Sequence, residues 1–300
     1  MRIYVAGHTG MLGSAIVRAL EARGYEVFTR IHEQLDLCNP FETRTFFQQW
    51  HPDYVFMAAG KVGGIQANID NPAQFLGDNA RMAMNVIDAC KEYGAKLCYV
   101  GSSCVYPREC PQPMREDMLM TGKLEPTNEG YALGKLVGIK YAEYVLGANA
   151  VCPLPCNLYG TLDHYGENGH VLASLVRRFV DAQDNGLPAV TLWGTGRARR
   201  EFLHVDDCAD ALVFLMERGV TGMINVGSGQ DWTIRELATF IAERVGYQGA
   251  IEWDTTKADG MPRKLLDTTK LAAMGWQPKI DLNEGIYRTV AEYRALKETA

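Results

Sequence analysis

The glycine-rich segment between residues 7 and 13 constrains the fold of this chain more than any other feature. It reads "GHTGMLG" and places Gly7, Gly10 and Gly13 between the apolar run "RIYVA" and the helical pattern "MLGSAIVRALEARG". Glycine at these positions permits a tight turn and a close approach of the helix to the preceding strand. A strand, a glycine turn and a helix in this order predict the first βα unit of a parallel sheet.

The alternation of strand and helix continues through the first half of the chain. Strand patterns at "YEVFTR", "DYVFMAA" and "AKLCYVGSS" alternate with helical patterns at "NPFETRTFFQQW", which Asn39 and Pro40 open, and at "NPAQFLGDNARMAMNVIDACKEYG". Right-handed crossovers join parallel strands, so this order predicts a Rossmann-type doubly wound α/β fold. Ligands of such sheets bind at the carboxyl ends of the strands.

The second half of the chain is less regular. Helices are predicted at "YALGKLVGIKYAEYV" and "GHVLASLVRRFVDAQ", and twice in the tail. A further helix at "DDCADALVFLMERG" is expected to begin at its aspartates. The helix at "TIRELATFIAERVG" is expected to begin with a capping box formed by Thr233 and Glu236. Strands are predicted at "AVCPLPCNLYG", as a single strand, and at "AVTLWG" and "GMINVGSG". We therefore predict a Rossmann domain over residues 1–160, to which further elements return, and a smaller α/β substrate lobe formed mainly by residues 161–300.

Composition limits the classes of function. The net charge of −6 over 300 residues argues against a general nucleic-acid binder, and the sequence predicts no membrane span because no apolar run approaches 18 residues. The start "MRIYVAG" has the pattern of a strand and not that of a signal peptide. The eight cysteines form no paired CxxC clusters, so we expect no metal site and free thiols in a reducing cytoplasm.

The glycine segment also predicts a cofactor, since a helix N-terminus behind a glycine turn can bind a pyrophosphate. The second strand ends in "FTRIHEQLDL", where Arg30 has no acidic residue before it. An acidic residue at this place binds ribose hydroxyls, whereas an arginine accommodates a 2′-phosphate. We therefore predict NADP(H), with Arg30 and His32 near the phosphate. A glycine turn without a ligand and a solvated arginine are the competing interpretations.

A serine, a tyrosine and a lysine form the second candidate constellation. Tyr131 and Lys135 are four residues apart on a predicted helix and share a face. A neighbouring lysine, with the charge of a nicotinamide nearby, is expected to lower the pKa of the phenol. The phenol could then exchange a proton with a carbonyl or alcohol oxygen during hydride transfer. Ser102 would add a hydrogen bond to the same oxygen. YxxxK alone occurs by chance in many helices, but its order after the glycine loop and Ser102 favours a reductase.

The segment "VGSSCVYP" at residues 100–107 adds a thiol to this constellation. If the segment is extended, Ser102 and Cys104 point to the same face and Ser103 points to the other. Two interpretations remain open at this point. Buried free cysteines are common and usually inert, so Cys104 could be a packing residue. Alternatively, its thiol could take part in proton transfer beside the reduction site.

With these signals in order, the chain resembles the extended short-chain dehydrogenase/reductase family over nearly its whole length. Within that family it is similar to the GDP-L-fucose synthase branch. The segments that carry the resemblance are "GHTGMLGSAI", "AAGKVGGIQAN", "GSSCVYP", "LEPTNEGYALGK", "NLYG", "ENGHV", "RRFVDA", "REFLHVDD", "INVGSG", "TIRELA" and "DGMPRKLLD". The resemblance implies NADPH-dependent conversion of GDP-4-keto-6-deoxy-D-mannose to GDP-L-fucose, by epimerisation at C3 and C5 and reduction at C4.

The resemblance also implies three sets of site residues. The catalytic set consists of Ser102, Tyr131 and Lys135 for reduction, with Cys104 as the base and His170 as the acid of epimerisation. The cofactor set consists of Gly7, Gly10, Met11, Leu12, Gly13, Arg30, His32, Asp36, Leu37, Ala58, Ala59, Gly101, Ser102, Lys135, Pro155, Asn157, Leu158 and His170. The set for the GDP-sugar consists of Arg178, Trp193, Arg200, Asp259 and Lys264. A helix-surface arginine and a tryptophan that only fills space are the competing interpretations for the last set.

The chain departs from the family pattern at several positions. Thr9 and His32 stand where the family usually has arginines near the 2′-phosphate, so NADH is the alternative cofactor. Cys156 replaces a usual threonine, and the loop "NLYGTLDHYGENGHV" differs where the sugar is expected to lie. The alternative functions are therefore an epimerase or C4-reductase for another GDP-4-keto sugar, such as a 6-deoxyheptose, and a dinucleotide-binding sensor without catalysis.

The resemblance further implies a homodimer. Its interface would be formed by the helix near residues 72–94 and by the YxxxK helix. The apolar residues Met82, Val86 and Ile87 suit such an interface and suit the core equally well.

Overall fold

The computed structural model describes residues 1–166, 169–257 and 259–298, in which there are twelve strands and ten α-helices. The strands are β1 Ile3–Ala6, β2 Val27–Arg30, β3 Tyr54–Met57, β4 Lys96–Tyr99, β5 Ala150–Pro155, β6 Asn157–Tyr159, β7 Ala189–Trp193, β8 Arg199–His204, β9 Gly222–Val226, β10 Asp231–Thr233, β11 Ala250–Asp254 and β12 Arg263–Lys264. The helices are α1 Met11–Glu21, α2 Pro40–Trp50, α3 Ile65–Asp70, α4 Pro72–Tyr93, α5 Glu129–Val145, α6 Val171–Asp184, α7 Val205–Glu217, α8 Ile234–Val245, α9 Thr269–Ala273 and α10 Leu282–Glu298.

The main sheet has six strands in the order β2-β1-β3-β4-β5-β9, and every neighbouring pair is parallel. Helices α4 and α5 pack against each other, as do α1 and α7. Parallel strands joined by helices are the expected result of the βα alternation in the sequence, so the predicted Rossmann-type fold is confirmed. Strand β9 and helix α7 come from the second half of the chain and complete this sheet and its helical layer.

Two smaller sheets lie outside the main one. Strand β8 pairs with β10, with β12 and with β6, and β7 pairs with β11. The single strand predicted at "AVCPLPCNLYG" is therefore wrong, because β5 belongs to the main sheet and β6 to a smaller one. The break falls at Cys156, whose N–H donates to Val226 O of β9, after which Asn157 Nδ2 donates to Glu201 O of β8. These two bonds transfer the chain from one sheet to the other.

The starts of α2 and α8 follow the local sequence, and that of α7 does not. The Asn39 side chain accepts from the backbone of α2, and Thr233 and Glu236 form the predicted capping box of α8. Helix α7 begins after His204 and not at the aspartates, because the buried His204 ring accepts from the N–H of Asp206 at 3.2 Å. The aspartates instead occupy the first turn, where their charge favours the positive end of the helix dipole.

The apolar side chains form two hydrophobic cores. The larger core surrounds the main sheet, with Val5, Phe56 and Leu97 fully buried. The second core lies between α6, α8 and the start of α10, and includes Phe179 and Ile241. Within the described parts of the chain, no helix combines the length and the apolar character that crossing a bilayer requires. The division of the chain at residue 160 remains a prediction.

Candidate functional site

The glycine turn lies at the carboxyl end of β1. Gly7 has a φ of +82°, which favours glycine, and a Cβ atom there would overlap the backbone of Ala59. A Cβ atom at Gly13 would overlap the carbonyl group of Gly7. Gly10 is the N-cap of α1, and its N–H donates to Gly7 O at 3.0 Å. The turn therefore brings the N-terminus of α1 to the edge of the sheet in a form that fits a pyrophosphate.

The other residues predicted to contact the dinucleotide mostly follow neighbouring strands of the main sheet. These residues lie at one edge of the sheet, because the carboxyl ends of parallel strands meet there. They follow β2, β3, β4 and β5 or belong to the first turn of α1. They are Ala58 and Ala59 after β3, Gly101 and Ser102 after β4, Pro155 at the end of β5 with Asn157 and Leu158 in β6, Met11 and Leu12 in α1, and Asp36 and Leu37 after β2. The residues present at this edge fit a dinucleotide.

Arg30 and His32 differ in how firmly the structure holds them. The guanidinium of Arg30, at the end of β2, lies 4.3 Å from the ring centroid of Trp50, and its Nη1 donates to Thr29 O at 2.6 Å. The His32 side chain is 78% exposed and lies 3.9 Å from Asp36. A stacked guanidinium is an oriented donor, so Arg30 suits a fixed phosphate better than His32 does.

The side chain of Lys135 is buried, and its Nζ donates to Val100 O at 2.9 Å and lies 6.0 Å from the ring centroid of Tyr131. Burial lowers the pKa of Lys135 to about 8. Burial also raises the pKa of Tyr131 in the chain alone, so the predicted lowering, which includes the charge of a nicotinamide, stays a prediction. A hydrogen bond with Ser102 acts in the opposite direction on the Tyr131 pKa, but desolvation is larger. Ser102 and Tyr131 are thus brought together as predicted.

Cys104 lies beside Ser102 for a reason that the sequence did not predict. Strand β4 ends at Tyr99, and Ser103–Val105 form a short 3-10 helical turn, so the expected alternation of an extended segment is wrong. The Ser102 Oγ caps this turn by accepting from the N–H of Cys104 at 3.2 Å. The thiol is close enough to Tyr131 to contribute to its raised pKa. The turn therefore places a thiol beside Ser102 and Tyr131, two of the residues predicted for reduction.

Two cationic residues of the smaller sheet around β8 lie next to Cys104. Lys264 and Arg200 are paired in register between β12 and β8. The Nζ of Lys264 lies 3.7 Å from Cys104 Sγ, and Arg200 is close enough to Cys104 to interact with it electrostatically. Burial lowers the pKa of Arg200, whose Nη1 donates to Met261 O at 2.6 Å. These contacts place positive charge around the thiol.

His170 is carried by another element, as the N-cap of α6. Its Nδ1 lies 2.9 Å from Asp163 Oδ1, and this hydrogen bond raises the pKa of His170. Sequence reasoning did not identify Asp163. Its side chain is only 1% exposed, which an acidic residue in a polar loop does not suggest. Asp163 lies before the helix that His170 caps, so no helical or strand period relates the two residues.

The remaining residues predicted to bind substrate lie around the end of β7. Asp259 accepts from the N–H of Thr195 at 2.8 Å, just beyond that strand. Trp193 is 70% exposed, with the Nζ of Lys257 at 5.8 Å from its ring centroid. Arg178 donates from Nη1 to Thr191 O of the same strand at 2.9 Å. Trp193 and Asp259 therefore neighbour each other, while Arg178 is engaged with the middle of β7.

Most of the chain matches a known protein family. Residues 3–227, which include the glycine turn, Ser102, Cys104, Tyr131 and Lys135, match the NAD dependent epimerase/dehydratase family. The chain belongs to the NAD dependent epimerase/dehydratase family. The strands and helices that position these residues are thus those of a known family of enzymes, and the predicted enzyme class is confirmed.

Two curated members of the epimerase/dehydratase family and one solved structure cover nearly the whole chain. GDP-L-fucose synthase 1 of Arabidopsis thaliana is 49% identical over 97% of this chain and 93% of its own length. GDP-L-fucose synthase of Escherichia coli strain K12 is 44% identical, over 96% and 95%. The NADP-bound GDP-mannoheptose C4 reductase of Campylobacter jejuni is 31% identical, with a TM-score of 0.88 and 98% coverage of both chains. The resemblance predicted from the motifs is therefore confirmed.

Proposed function

We propose that this chain converts GDP-4-keto-6-deoxy-D-mannose to GDP-L-fucose, with epimerisation at C3 and C5 and reduction at C4. The GDP-L-fucose synthases that are 49% and 44% identical over nearly the full length support this substrate. The cofactor is NADPH, which supplies the hydride when bound. The glycine turn and the stacked Arg30 fit that cofactor.

Epimerisation is assigned to Cys104 and His170. The 4-keto group acidifies the hydrogens on C3 and C5, because the enolate left by their removal is stabilised by the carbonyl. The sulfur of Cys104 takes the proton from one face of the sugar, and the imidazolium of His170 returns a proton to the opposite face. The hydrogen bond with Asp163 favours the protonated form of His170, as a general acid requires.

Reduction is assigned to Ser102, Tyr131 and Lys135. The Tyr131 hydroxyl gives a proton to the C4 oxygen, and the Ser102 hydroxyl holds that oxygen by a hydrogen bond. The buried Lys135 ammonium, fixed by Val100 O, favours the phenolate that remains. Burial raises the pKa of Tyr131 in the chain alone, so the hydroxyl is protonated at neutral pH, as a proton donor has to be. The same shift makes it a weaker acid, which the Lys135 ammonium has to offset.

The GDP-sugar is assigned to Arg178, Trp193, Arg200, Asp259 and Lys264. Arg200 and Lys264 supply positive charge next to Cys104, and Trp193 offers an exposed aromatic face. A guanidinium suits the oxygens of a diphosphate because it offers paired donors. The base and the substrate ligands thus share one region.

One observation carries the proposal: the thiol of Cys104 lies inside the reduction site, next to Ser102 and Tyr131. A simple 4-epimerase has no use for this thiol, and a dehydratase of the same fold uses an acidic pair at this place. A binding-only sensor has no need for the complete set of Ser102, Cys104, Tyr131, Lys135 and His170.

The test is incubation with GDP-4-keto-6-deoxy-D-mannose and NADPH, or NADH, in D2O. We expect oxidation of NADPH, followed at 340 nm, and GDP-L-fucose that carries deuterium at C3 and C5 in the NMR spectrum. Cys104→Ser should lose most of the deuterium incorporation, whereas Tyr131→Phe should lose reduction and retain exchange. Reduction without deuterium in the wild type would leave a C4-reductase and contradict the epimerase assignment.

The second candidate is a reductase or epimerase for a GDP-4-keto heptose. The 31% identical heptose C4 reductase favours it, as does the altered sequence of residues 160–169, two of which lie outside the described residues. The same assay with the 6-deoxyheptose analogue separates the two candidates. A higher kcat/KM for the heptose would assign the second.

We also propose a homodimer that acts in the cytoplasm. Val86 and Ile87 are fully buried against the main sheet, so their suggested place in an interface is wrong, and Met82 is half-buried. Helix α5 instead exposes Leu133 and Val137. The eight free thiols fit a reducing compartment.

Light scattering of the wild type and of Val137→Asp tests the dimer. We expect the substitution to lower the measured mass to that of one chain, because an unpaired charge in an apolar interface is costly. Tyr287→Asp, at an exposed position of α10, is the matched control and should leave the mass unchanged. A single-chain mass for the wild type would refute the homodimer.

A further inference from the structure

The loop between β6 and α6 holds a buried carboxylate that is not among the residues predicted for the site. Asp163 lies in this loop with a side chain that is 1% exposed. Its Oδ1 accepts from the N–H of His164 at 2.8 Å and lies 2.9 Å from His170 Nδ1. Its Oδ2 is buried and has no hydrogen-bond partner among the residues that the structure describes. Burying a carboxylate without full pairing is costly, so this arrangement calls for a function.

The bond between Asp163 and His170 determines which ring nitrogen can act. An ionised carboxylate only accepts hydrogen bonds, so the shared hydrogen lies on Nδ1 of His170. The other nitrogen, Nε2, is then the atom that can exchange a proton with a substrate. The His170 side chain is 55% exposed, whereas that of Asp163 is inaccessible. The carboxylate therefore acts through the histidine and does not itself reach a ligand.

The loop that carries Asp163 is fixed from its other side by α10. The N–H of Leu162 donates to Glu292 Oε1 at 2.8 Å, and the Tyr165 hydroxyl donates to Thr289 O at 3.3 Å. These two contacts flank Asp163 in the chain. The carboxylate is thus presented by a supported loop, which is what a fixed ring orientation at His170 requires.

We infer that Asp163 is a positioning residue for His170, holding the imidazole with its hydrogen on Nδ1 so that Nε2 faces the sugar during epimerisation. This inference rests on the proposed function for the identity of the substrate. The geometry of the Asp163–His170 pair is independent of it.

The charges around the pair fix the direction of the expected pH effect. Among the described residues, Asp163 is the charged group that acts on His170, and Glu292 and the ionisable Tyr165 lie on the far side of the loop. The hydrogen bond with Asp163 raises the pKa of His170, so the acid form persists to higher pH. Without the carboxylate, His170 should lose its proton at a lower pH. The rate of epimerisation should therefore begin to fall at a lower pH than in the wild type.

The first test compares Asp163→Asn, Asp163→Glu and Glu292→Gln by deuterium incorporation at C3 and C5 as a function of pH. We expect Asp163→Asn to lower the rate about tenfold to a hundredfold. The limb where the rate falls with rising pH should move to lower pH, because the hydrogen bond that raises the pKa of His170 is lost. Asp163→Glu, which restores a carboxylate, should recover part of the rate. Glu292→Gln loosens the same loop without touching the pair, so it should leave that limb in place.

A second measurement keeps the inference testable apart from the proposed function. NMR titration of the His170 ring, assigned by its absence in His170→Gln, should show a lower pKa in Asp163→Asn than in the wild type. If the wild type fails to turn over the substrate while this shift appears, the proposed function fails and the pair stands. An unchanged His170 titration in folded Asp163→Asn, or an unmoved pH limb, would overturn the inference.

Discussion

The Nζ of Lys264 lies 3.7 Å from the sulfur of Cys104, although 160 residues separate them along the chain. Strand β12 delivers the ammonium group, and the 3-10 turn after β4 delivers the thiol. A residue assigned to substrate binding therefore also touches the residue assigned as base. We therefore expect substrate binding and proton removal to depend on each other at this contact.

Lys264→Met should therefore change two kinetic quantities at once. We expect KM for the GDP-sugar to rise and deuterium exchange at C3 and C5 to fall, the latter about tenfold or more, since hydrogen bonds that involve a charged group contribute about 1.5–3 kcal/mol. Lys270→Met, which removes an exposed lysine paired with Glu116 at 3.5 Å, is the matched control. A rise in KM with unchanged exchange would show that Lys264 only binds substrate.

Lys135→Met should abolish reduction and yet stabilise the fold at neutral pH. The native pKa of Lys135, about 8, is below its unfolded value of 10.5, so the buried cation destabilises the native state below pH 8 and this cost disappears as the pH rises to 10.5. The pKa difference predicts that Lys135→Met raises the free energy of unfolding by up to about 3 kcal/mol at pH 7. About 1 kcal/mol of this gain is lost because Val100 O no longer has a hydrogen-bond donor.

Urea unfolding of the two proteins at pH 7 and pH 10 measures this difference, which should shrink at the higher pH. Lys140→Met, at a partly exposed position on the same helix, is the control and should change little at either pH. A lower free energy of unfolding for Lys135→Met at pH 7 would contradict the expectation.

Arg30→Gln should lower the preference for NADPH over NADH. The guanidinium is stacked on Trp50 and held by Thr29 O, so its removal takes away an oriented donor to a 2′-phosphate. We expect kcat/KM for NADPH to fall about tenfold or more, with a much smaller change for NADH. His32→Asn, at a side chain that is 78% exposed, should have the smaller effect. Equal losses with both cofactors would place Arg30 away from the phosphate.

Glu201 should make the stability of the fold depend on pH. Its buried carboxylate accepts from the N–H groups of Gly229 and Leu266, at 2.7 and 2.9 Å, but burial outweighs these bonds and raises the pKa of Glu201 to about 7. An acid with a raised native pKa contributes stability that is fully present below its unfolded pKa of 4.5 and is lost as the pH rises through 7.

The advantage of the wild type over Glu201→Gln in free energy of unfolding should therefore decrease by about 2 kcal/mol between pH 5 and pH 8. Thermal unfolding of both proteins across this range gives the difference. Glu243→Gln, at an exposed position of α8, is the control. A difference that is constant with pH would mean that Glu201 titrates outside this range.

The parts of the fold that follow from local pattern could be predicted from the sequence. Helix α2 has its N-cap and its N1 proline next to each other, and α8 has both members of its capping box within four residues. The main sheet follows because strand and helix patterns alternate with short connections. Helix caps and the order of strands and helices depend on residues that are close together in the chain, so the sequence alone shows them.

The features that could not be predicted depend on contacts between distant residues. The division of "AVCPLPCNLYG" into two strands is caused by bonds from Cys156 and Asn157 to β9 and β8. The contact of Lys264 with Cys104 likewise joins distant segments. For Tyr131 the sequence shows the lysine four residues away but not the burial that raises the phenol pKa. Desolvation is a property of the packed structure.

Strand β9 sits at the edge of the main sheet beside β5, although some seventy residues of smaller sheets and helices lie between them in the chain. A fragment cut after residue 160 would leave β5 as an open edge, and would uncover the face of α1 that α7 covers. Open edges of apolar sheets invite aggregation. Recombination that replaced everything after residue 160 would therefore damage the dinucleotide half as well. A change in the second half of the chain is therefore also a change in the sheet that carries the glycine turn.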